Sequence, residues 1–235
     1  MKVAIMQPYI FPYLGYFQLL KAVDDFVFYD DVNFIKSGWI NRNYILVSEK
    51  SHLYTIPLSK SSSFIDINET LLHPLLFEKW KKKFLSTIKQ SYKKAPYFNE
   101  VIQIIEATLS HNCNSIGALS ALSVENVSNY LGLKKNFYYS SIDFKETKGK
   151  DSVERIVDIV KLLNREKYVN PIGGVDLYDK ESFKEYSIEL QFLEASIKPY
   201  KQFSEESVKG LSIIDVLMFN SIEETLSLIN LYKLS

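Results

Sequence analysis

With a single cysteine, Cys113, the chain has no intramolecular disulfide framework and no cysteine-based zinc site. It contains no run of 18 apolar residues, so no membrane-spanning helix is expected. Charge of one sign is not in excess: Lys plus Arg and Asp plus Glu are both 28. No global field therefore draws the protein to nucleic acid or to an acidic membrane. Histidine is limited to His52, His73 and His111, which fall in separate expected elements. Neither a Ser-His-Asp triad nor a histidine metal cluster is expected from them. The N-terminus carries one lysine and a short apolar run that stops at Gln7-Pro8, too brief for a signal peptide. The expectation is a soluble cytoplasmic protein. Internal repeats, low-complexity tracts and long linkers are lacking as well.

What is abundant is apolar and aromatic side chain. Hydrophobic residues make up 46% of 235, ample for the core of a single domain. There are 16 Tyr and 15 Phe against only 8 Gly. A tyrosine in a loop offers a flat apolar face and a polar tip, which suits sugars or bases. Tyr9, Tyr13 and Tyr16 are the ones placed to do this.

Short apolar runs alternate with helical periodicity along the chain. Val3 to Met6 reads as a buried strand, Tyr16 to Val23 as a helix and Phe26 to Tyr29 as a second strand. Together they have the size of one βαβ unit. Residues 40–47 and 52–58 read as a hairpin with Ser48-Glu49-Lys50-Ser51 between them. Lys60-Ser61-Ser62-Ser63 is a solvated turn. From Pro74 to Leu131 apolar residues recur at spacings of three and four, which predicts a helical block ending at Gly132. Within it, Lys79, Lys81, Lys82 and Lys83 form a charged face. Asn136 to Ser140 reads as a strand, Asp151-Ser152 opens an amphipathic helix and Tyr168-Val169 is a brief strand. A helix is expected over Glu181 to Tyr186 and a strand over Ile188 to Leu193. Two helical segments, around 211–219 and 222–231, close the chain. The fold class is α/β, with a Rossmann-like parallel or mixed sheet and a helical insertion at about 74–131 in a single 1–235 domain.

The richest polar stretch lies at the first strand ends, where open α/β sheets bind ligands. Gln7 follows the first strand, and Asp30 and Asp31 follow the second. Lys36, Trp39, Asn41, Arg42 and Asn43 then combine a stacking surface, amides and cations within eight residues. Arg42 can grip phosphate or carboxylate bidentately. Tyr13-Leu14-Gly15-Tyr16 stands where Rossmann-like nucleotidylyltransferases carry His-x-Gly-His. Gly15 allows close backbone approach and a helix N-terminus favours phosphate, but both histidines are absent. Tyrosine, with a pKa near 10, cannot stand in for imidazolium. Asp30 and Asp31 suit a sugar hydroxyl, an amine or magnesium; no further acidic cluster lies near them in sequence, so no metal is predicted.

Several blocks together resemble the WbqC-like family: Gln7-Pro8-Tyr9, Phe11-Pro12-Tyr13 through Gln18, Tyr29-Asp30-Asp31-Val32, and Lys36 to Asn43. The likeness runs on through Tyr139-Ser140-Ser141, Asn170 to Gly174 with Tyr178, Tyr200-Lys201-Gln202, and Leu211 to Leu217. It covers essentially the whole chain. Members occur among genes for bacterial O-antigen and other surface polysaccharides, so the resemblance implies a polysaccharide-biosynthesis enzyme. It adds Ser140, Ser141, Asn170, Gly173, Gly174, Tyr178, Tyr200 and Gln202 to the substrate-binding candidates. Ser212 and Asp215 read as helix cap and anchor.

The function expected is transfer of an acyl or aminoacyl group to a nucleotide-linked amino sugar. Asp30 would be the base for the amine and Lys36 the catalytic cation. The donor would be acyl-coenzyme A or an aminoacyl carrier. The alternatives are a nucleotidylyltransferase-like enzyme with an altered His-x-Gly-His motif and a non-catalytic sugar-nucleotide-binding protein.

Overall fold

The alternation of apolar runs and helical stripes builds a central six-stranded sheet with helices on both faces, seen in a computed structural model that describes residues 1–204 and 206–235. In chain order the elements begin with β1 (Lys2–Met6), α1 (Leu14–Ala22), β2 (Asp25–Phe28), β3 (Arg42–Val47) and β4 (Lys50–Thr55). Three consecutive helices follow: α2 (Leu76–Tyr92), α3 (Phe98–Ser110) and α4 (Ile116–Tyr130). Then come β5 (Asn136–Tyr139), α5 (Ser140–Asp143), α6 (Ser152–Leu162), β6 (Lys167–Pro171) and α7 (Lys180–Lys184). The chain closes with β7 (Glu189–Ala195), α8 (Ile213–Phe219), α9 (Ile222–Ile229) and β8 (Tyr232–Leu234).

Strand order is β5-β2-β1-β6-β7-β8, parallel from β5 to β7, with β8 antiparallel on the edge. The order reverses between β1 and β6, and this is where an open parallel sheet leaves a crevice beyond its carboxyl ends. Side chains alternate between the two faces. Ala4, Phe26, Phe28, Val169 and Leu193 join the larger core with α1, the α2–α4 block and α8. Val3, Ile5, Val27, Tyr168, Leu190 and Phe192 join a second core with Ile156, Val157, Ile159 and Val160 of α6 and Phe183 of α7. Each such side chain, fully buried, contributes about 1.5–3 kcal/mol relative to exposure, which is why the period-2 runs select this pleat.

The local signals behave as their chemistry dictates. Asp151 caps α6, accepting from the Val153 and Glu154 amides, and Ser221 with Glu224 closes a capping box on α9. Gly132 ends α4 at φ +68°, with the Leu133 amide returning to the Ser128 carbonyl at 2.9 Å. Two expectations need correction. The β3–β4 turn is two residues rather than four, because Ser48 and Glu49 both adopt positive φ (49° and 63°). No glycine announces that geometry. Strand β8 also went unread, since three residues carry no periodicity and pairing with β7 alone orders them.

Asp215, in the first turn of α8, lies fully buried between α2 and the loop before α8. It accepts hydrogen bonds from Tyr92 Oη (2.8 Å), Tyr200 Oη (2.6 Å) and Gln202 Nε2 (2.6 Å). Burial raises its pKa, and the three donors counter that rise. Tyr92 in turn accepts from the Leu46 amide at 2.7 Å, so one phenol links α2, β3 and α8. Replacing Tyr92 by Phe leaves a buried amide and one carboxylate lone pair unmet. The expected cost is about 1–3 kcal/mol in urea unfolding; a variant as stable as the parent would refute this linkage.

Candidate functional site

The carboxyl ends of β1, β2, β5 and β6 bring together most of the polar residues singled out from the sequence. Asp30 and Asp31 follow β2, beside Ser140 and Ser141 at the end of β5. Asp30 is buried: Ser141 donates its amide to Oδ1 (3.0 Å) and its hydroxyl to Oδ2 (2.8 Å), and Ser140 Oγ lies 3.1 Å from Oδ1. Ser140 Oγ also contacts Asp31 Oδ1 and accepts the Asp30 amide at 3.1 Å. One hydroxyl proton thus faces two carboxyl groups. Burial pushes the Asp30 carboxyl above its ordinary value; Asp31 adds to the rise, while the Ser141 and Ser140 hydrogen bonds pull it down.

Asp31 is neutralised by Arg155, a residue that no motif or spacing singles out. The guanidinium Nη2 meets Asp31 Oδ2 at 2.6 Å, with both side chains almost wholly buried. Arg155 Nε also donates to Thr147 Oγ1 at 3.1 Å, and its guanidinium carbon sits 4.8 Å from the Tyr29 ring centroid. In sequence, Arg155 falls off the apolar stripe of α6 and looks like a solvated charge. Only the fold of the β5–α6 connection over the end of β2 reveals its partner.

A second group lies on the α1 side of the sheet. Tyr9, Pro12, Tyr13, Trp39, Asn43 and Gly210 line a cavity of about 250 Å³. Arg42 stacks 5.5 Å from the Trp39 centroid; one guanidinium nitrogen donates to the Ser37 carbonyl, and buried Nε has no partner among the described residues. Lys36 is exposed in the loop between β2 and β3. Burial raises the Tyr9 phenol pKa above its ordinary value, and the partly covered Tyr13 phenol shifts the same way. The Tyr13 ring also occupies the space above Gly15: a Cβ there would lie 2.4 Å from it. The glycine therefore admits this chain's own tyrosine to the helix start. Tyr16 is buried, donating to the Gln7 carbonyl at 3.0 Å.

The remaining candidates divide between structure and site. Asn41 Nδ2 donates to the Ile56 carbonyl (2.9 Å), and Asn43 Nδ2 to the Phe11 carbonyl (2.7 Å), so both amides tie loops to the hairpin. Tyr200 and Gln202 serve the buried Asp215, as described above. Asn170 ends β6, with Gly173 exposed and Gly174 packed beneath the Asn170 amide. Tyr178 packs edge-on to Tyr168 (6.2 Å) and Phe183 (5.9 Å). Ser212 caps α8 through the Ile214 amide (3.2 Å), as its position predicts. Among the described residues no three His, Cys, Asp or Glu stand where they could share a metal ion. No described helix is long and apolar enough to cross a membrane.

Two outcomes follow from the buried charges. Arg155→Met leaves Asp31 buried without its counter-charge, and unfolding free energy should fall by about 3–5 kcal/mol. The double variant Arg155→Met/Asp31→Leu should recover most of that loss in denaturant titrations. Equal losses in both would show that the guanidinium acts by packing alone. For Asp30, a folded pKa above the unfolded one adds stability at low pH that is lost as pH rises through the folded value. Ser141→Ala removes a hydrogen bond to the ionised form and should move this loss to higher pH. Urea midpoints measured from about pH 4 to about pH 8 report it, and an unshifted profile would count against the assignment.

Comparison with known proteins places the molecule by its sequence. Residues 7–226 match the model of the WbqC-like protein family. An uncharacterized protein of Mycobacterium tuberculosis is 28% identical over 222 residues, which is 93% of each chain. No solved structure matches the chain. A match that spans both aspartates, the aromatic cavity and the Asp215 anchor establishes that the protein belongs to the WbqC-like protein family.

Proposed function

We propose that this protein is a single-domain, Rossmann-like transferase of bacterial surface-polysaccharide assembly, with α2–α4 inserted in its α/β unit. It places an acyl or aminoacyl group on the amine of a nucleotide-linked amino sugar. The observation that supports this most is the aromatic cavity beside the start of α1. Tyr9, Tyr13 and Trp39 offer ring faces and phenols within a space of about 250 Å³, which suits one sugar ring. Arg42, stacked on Trp39, brings a guanidinium beside this cavity, and its planar fork suits a phosphate oxygen of the sugar nucleotide.

In this reading the acceptor amine attacks the donor's acyl carbonyl, forming the N–C bond. The donor's bond to its carrier, a thioester C–S bond in acyl-coenzyme A, breaks. The proton lost by the amine passes through Ser141 Oγ to Asp30, whose carboxyl binds a proton more readily than an exposed one. It then goes to the leaving thiolate, so the carboxylate is restored. Lys36 and Arg42 stabilise the negative charge that develops on the carbonyl oxygen and on phosphate.

The test joins binding with turnover. Trp39 is 46% exposed, so Trp39→Ala should leave the fold intact and weaken binding of a nucleotide-linked amino sugar by about 1–3 kcal/mol. Asp30→Asn should keep that binding and lose turnover with acyl-coenzyme A, followed by mass spectrometry of the sugar product. Undiminished turnover in Asp30→Asn would remove it from the mechanism. Binding that ignores Trp39 would remove the sugar from the cavity.

A further inference from the structure

Acidic and basic residues balance over the whole chain, yet the stretch from Leu75 to Lys94 holds seven lysines and a single carboxylate, Glu78. Nearly all of it is α2. Phe77, Phe84, Ile88 and Tyr92 of this helix are buried, and the helix packs on β3 and α3. At about 100° per residue, the side turned away from them carries Leu75, Lys79, Lys82, Ser86, Lys89 and Lys93 in one straight stripe. At about 1.5 Å per residue the stripe runs about 27 Å. A shallow depression of about 470 Å³ lies along it, lined by Lys82, Leu85, Ser86, Lys89 and Lys93.

Two of the seven ammonium groups are paired, Lys81 with Glu78 at 2.8 Å and Lys89 with Glu106 at 2.9 Å. Lys79, Lys82, Lys83, Lys93 and Lys94 are exposed and have no carboxylate within 4.0 Å among the described residues. Glu49 of the β3–β4 turn shares a groove with Lys93 and Lys94 without pairing to either. Lys79 stands three and four residues before Lys82 and Lys83, and Lys89 four before Lys93. At those spacings like charges destabilise a helix, and a face that meets only solvent interleaves acids there. This face keeps its repulsion, which an opposed anionic surface relieves.

The rest of the stripe selects the kind of surface. Leu75 is 74% exposed, and Leu76 beside it is exposed as well. Apolar side chains at the end of a lysine stripe enter the boundary between lipid headgroups and acyl chains. Nucleic acid is a poorer match. The stretch has no arginine to fork a phosphate, and its one tryptophan, Trp80, is stacked between Phe77 and Phe84. A straight row of charges on a convex helix also meets a plane along its whole length.

We infer that α2 seats the protein peripherally on an anionic lipid surface. Leu75 and Leu76 enter the interface, and Lys79, Lys82, Lys83, Lys93 and Lys94 meet lipid phosphates. The inference goes beyond the transferase reading and does not depend on it.

Co-sedimentation of the full chain with two kinds of vesicle tests it: phosphatidylcholine alone, and phosphatidylcholine with about one-third phosphatidylglycerol. The chain should pellet with the second and not with the first. Sodium chloride at about 1 M should release it, because the Debye length falls to about 3 Å. Replacing the five unpaired lysines by Gln should weaken vesicle binding by about tenfold or more, since each lysine near an anionic leaflet contributes about fivefold. Leu75→Ser removes apolar surface but supplies a favoured helix cap, so weaker binding there reports lost insertion rather than a lost helix. Failure to pellet with anionic vesicles would overturn the inference. So would equal binding to both vesicle types, or binding that the five substitutions leave unchanged. Undiminished binding in Leu75→Ser would overturn insertion of the leucines. Lysine-dependent binding of duplex DNA, without vesicle binding, would put nucleic acid in place of lipid and overturn the inference as well.

Discussion

The carbonyl of Phe11 is the point on which the candidate site hangs. Phe11 sits at φ 38°, a left-handed conformation that costs a bulky residue about 1–3 kcal/mol unless its surroundings impose it. Its surroundings do impose it. Asn43 Nδ2 and Ser212 Oγ both donate to the Phe11 carbonyl at 2.7 Å, and the Phe11 amide donates to Ser123 Oγ at 2.9 Å. Those three partners come from β3, the cap of α8 and the middle of α4. Hairpin, helical block and C-terminal helix thus converge on one residue of the β1–α1 loop. Tyr9 and Tyr13 take their positions from it, and so does the aromatic cavity.

A similar economy governs charge. Asp31 with Arg155 and Asp215 with its three donors are buried where an unpaired charge would unfold the domain. In both places the carboxylate gathers separate parts of the chain: the β2, β5 and α6 ends in one case, α2, α8 and the preceding loop in the other. What remains for chemistry is the residual polarity these networks leave unmatched. This comprises the shared Ser140 proton, proton-avid Asp30 and the Arg42 guanidinium stacked on Trp39. Exposed Lys36 stands apart from these, in the loop between β2 and β3.

Much of the fold could be read from the residues because its signals are local. Val3 to Met6 and Phe26 to Tyr29 are strands buried on both faces. The Leu76-Trp80-Phe84-Ile88 stripe is a helix, and Asp151 and Ser212 cap their helices, each by chemistry contained within a few residues. Local signals also located the richest polar stretch, because residues following parallel strands emerge at one edge of the sheet. They failed where the deciding partner was remote. No residue near Arg155 in sequence announces Asp31, none near Asn41 or Asn43 announces the Ile56 and Phe11 carbonyls, and the space above Gly15 is taken by the Tyr13 ring.

The sequence by itself determined the family, the α/β alternation, the period-2 pleat and the strand-end position of Asp30, Asp31 and Asn170. These depend on propensity and spacing, which are properties of neighbouring residues. The tertiary structure alone decided which polar atoms have partners. Tyr200 and Gln202 are spent on Asp215, Tyr16 on Gln7 and Asn43 on Phe11. Hydrogen-bond satisfaction is a relation between groups up to two hundred residues apart, and only the folded chain brings those groups within reach.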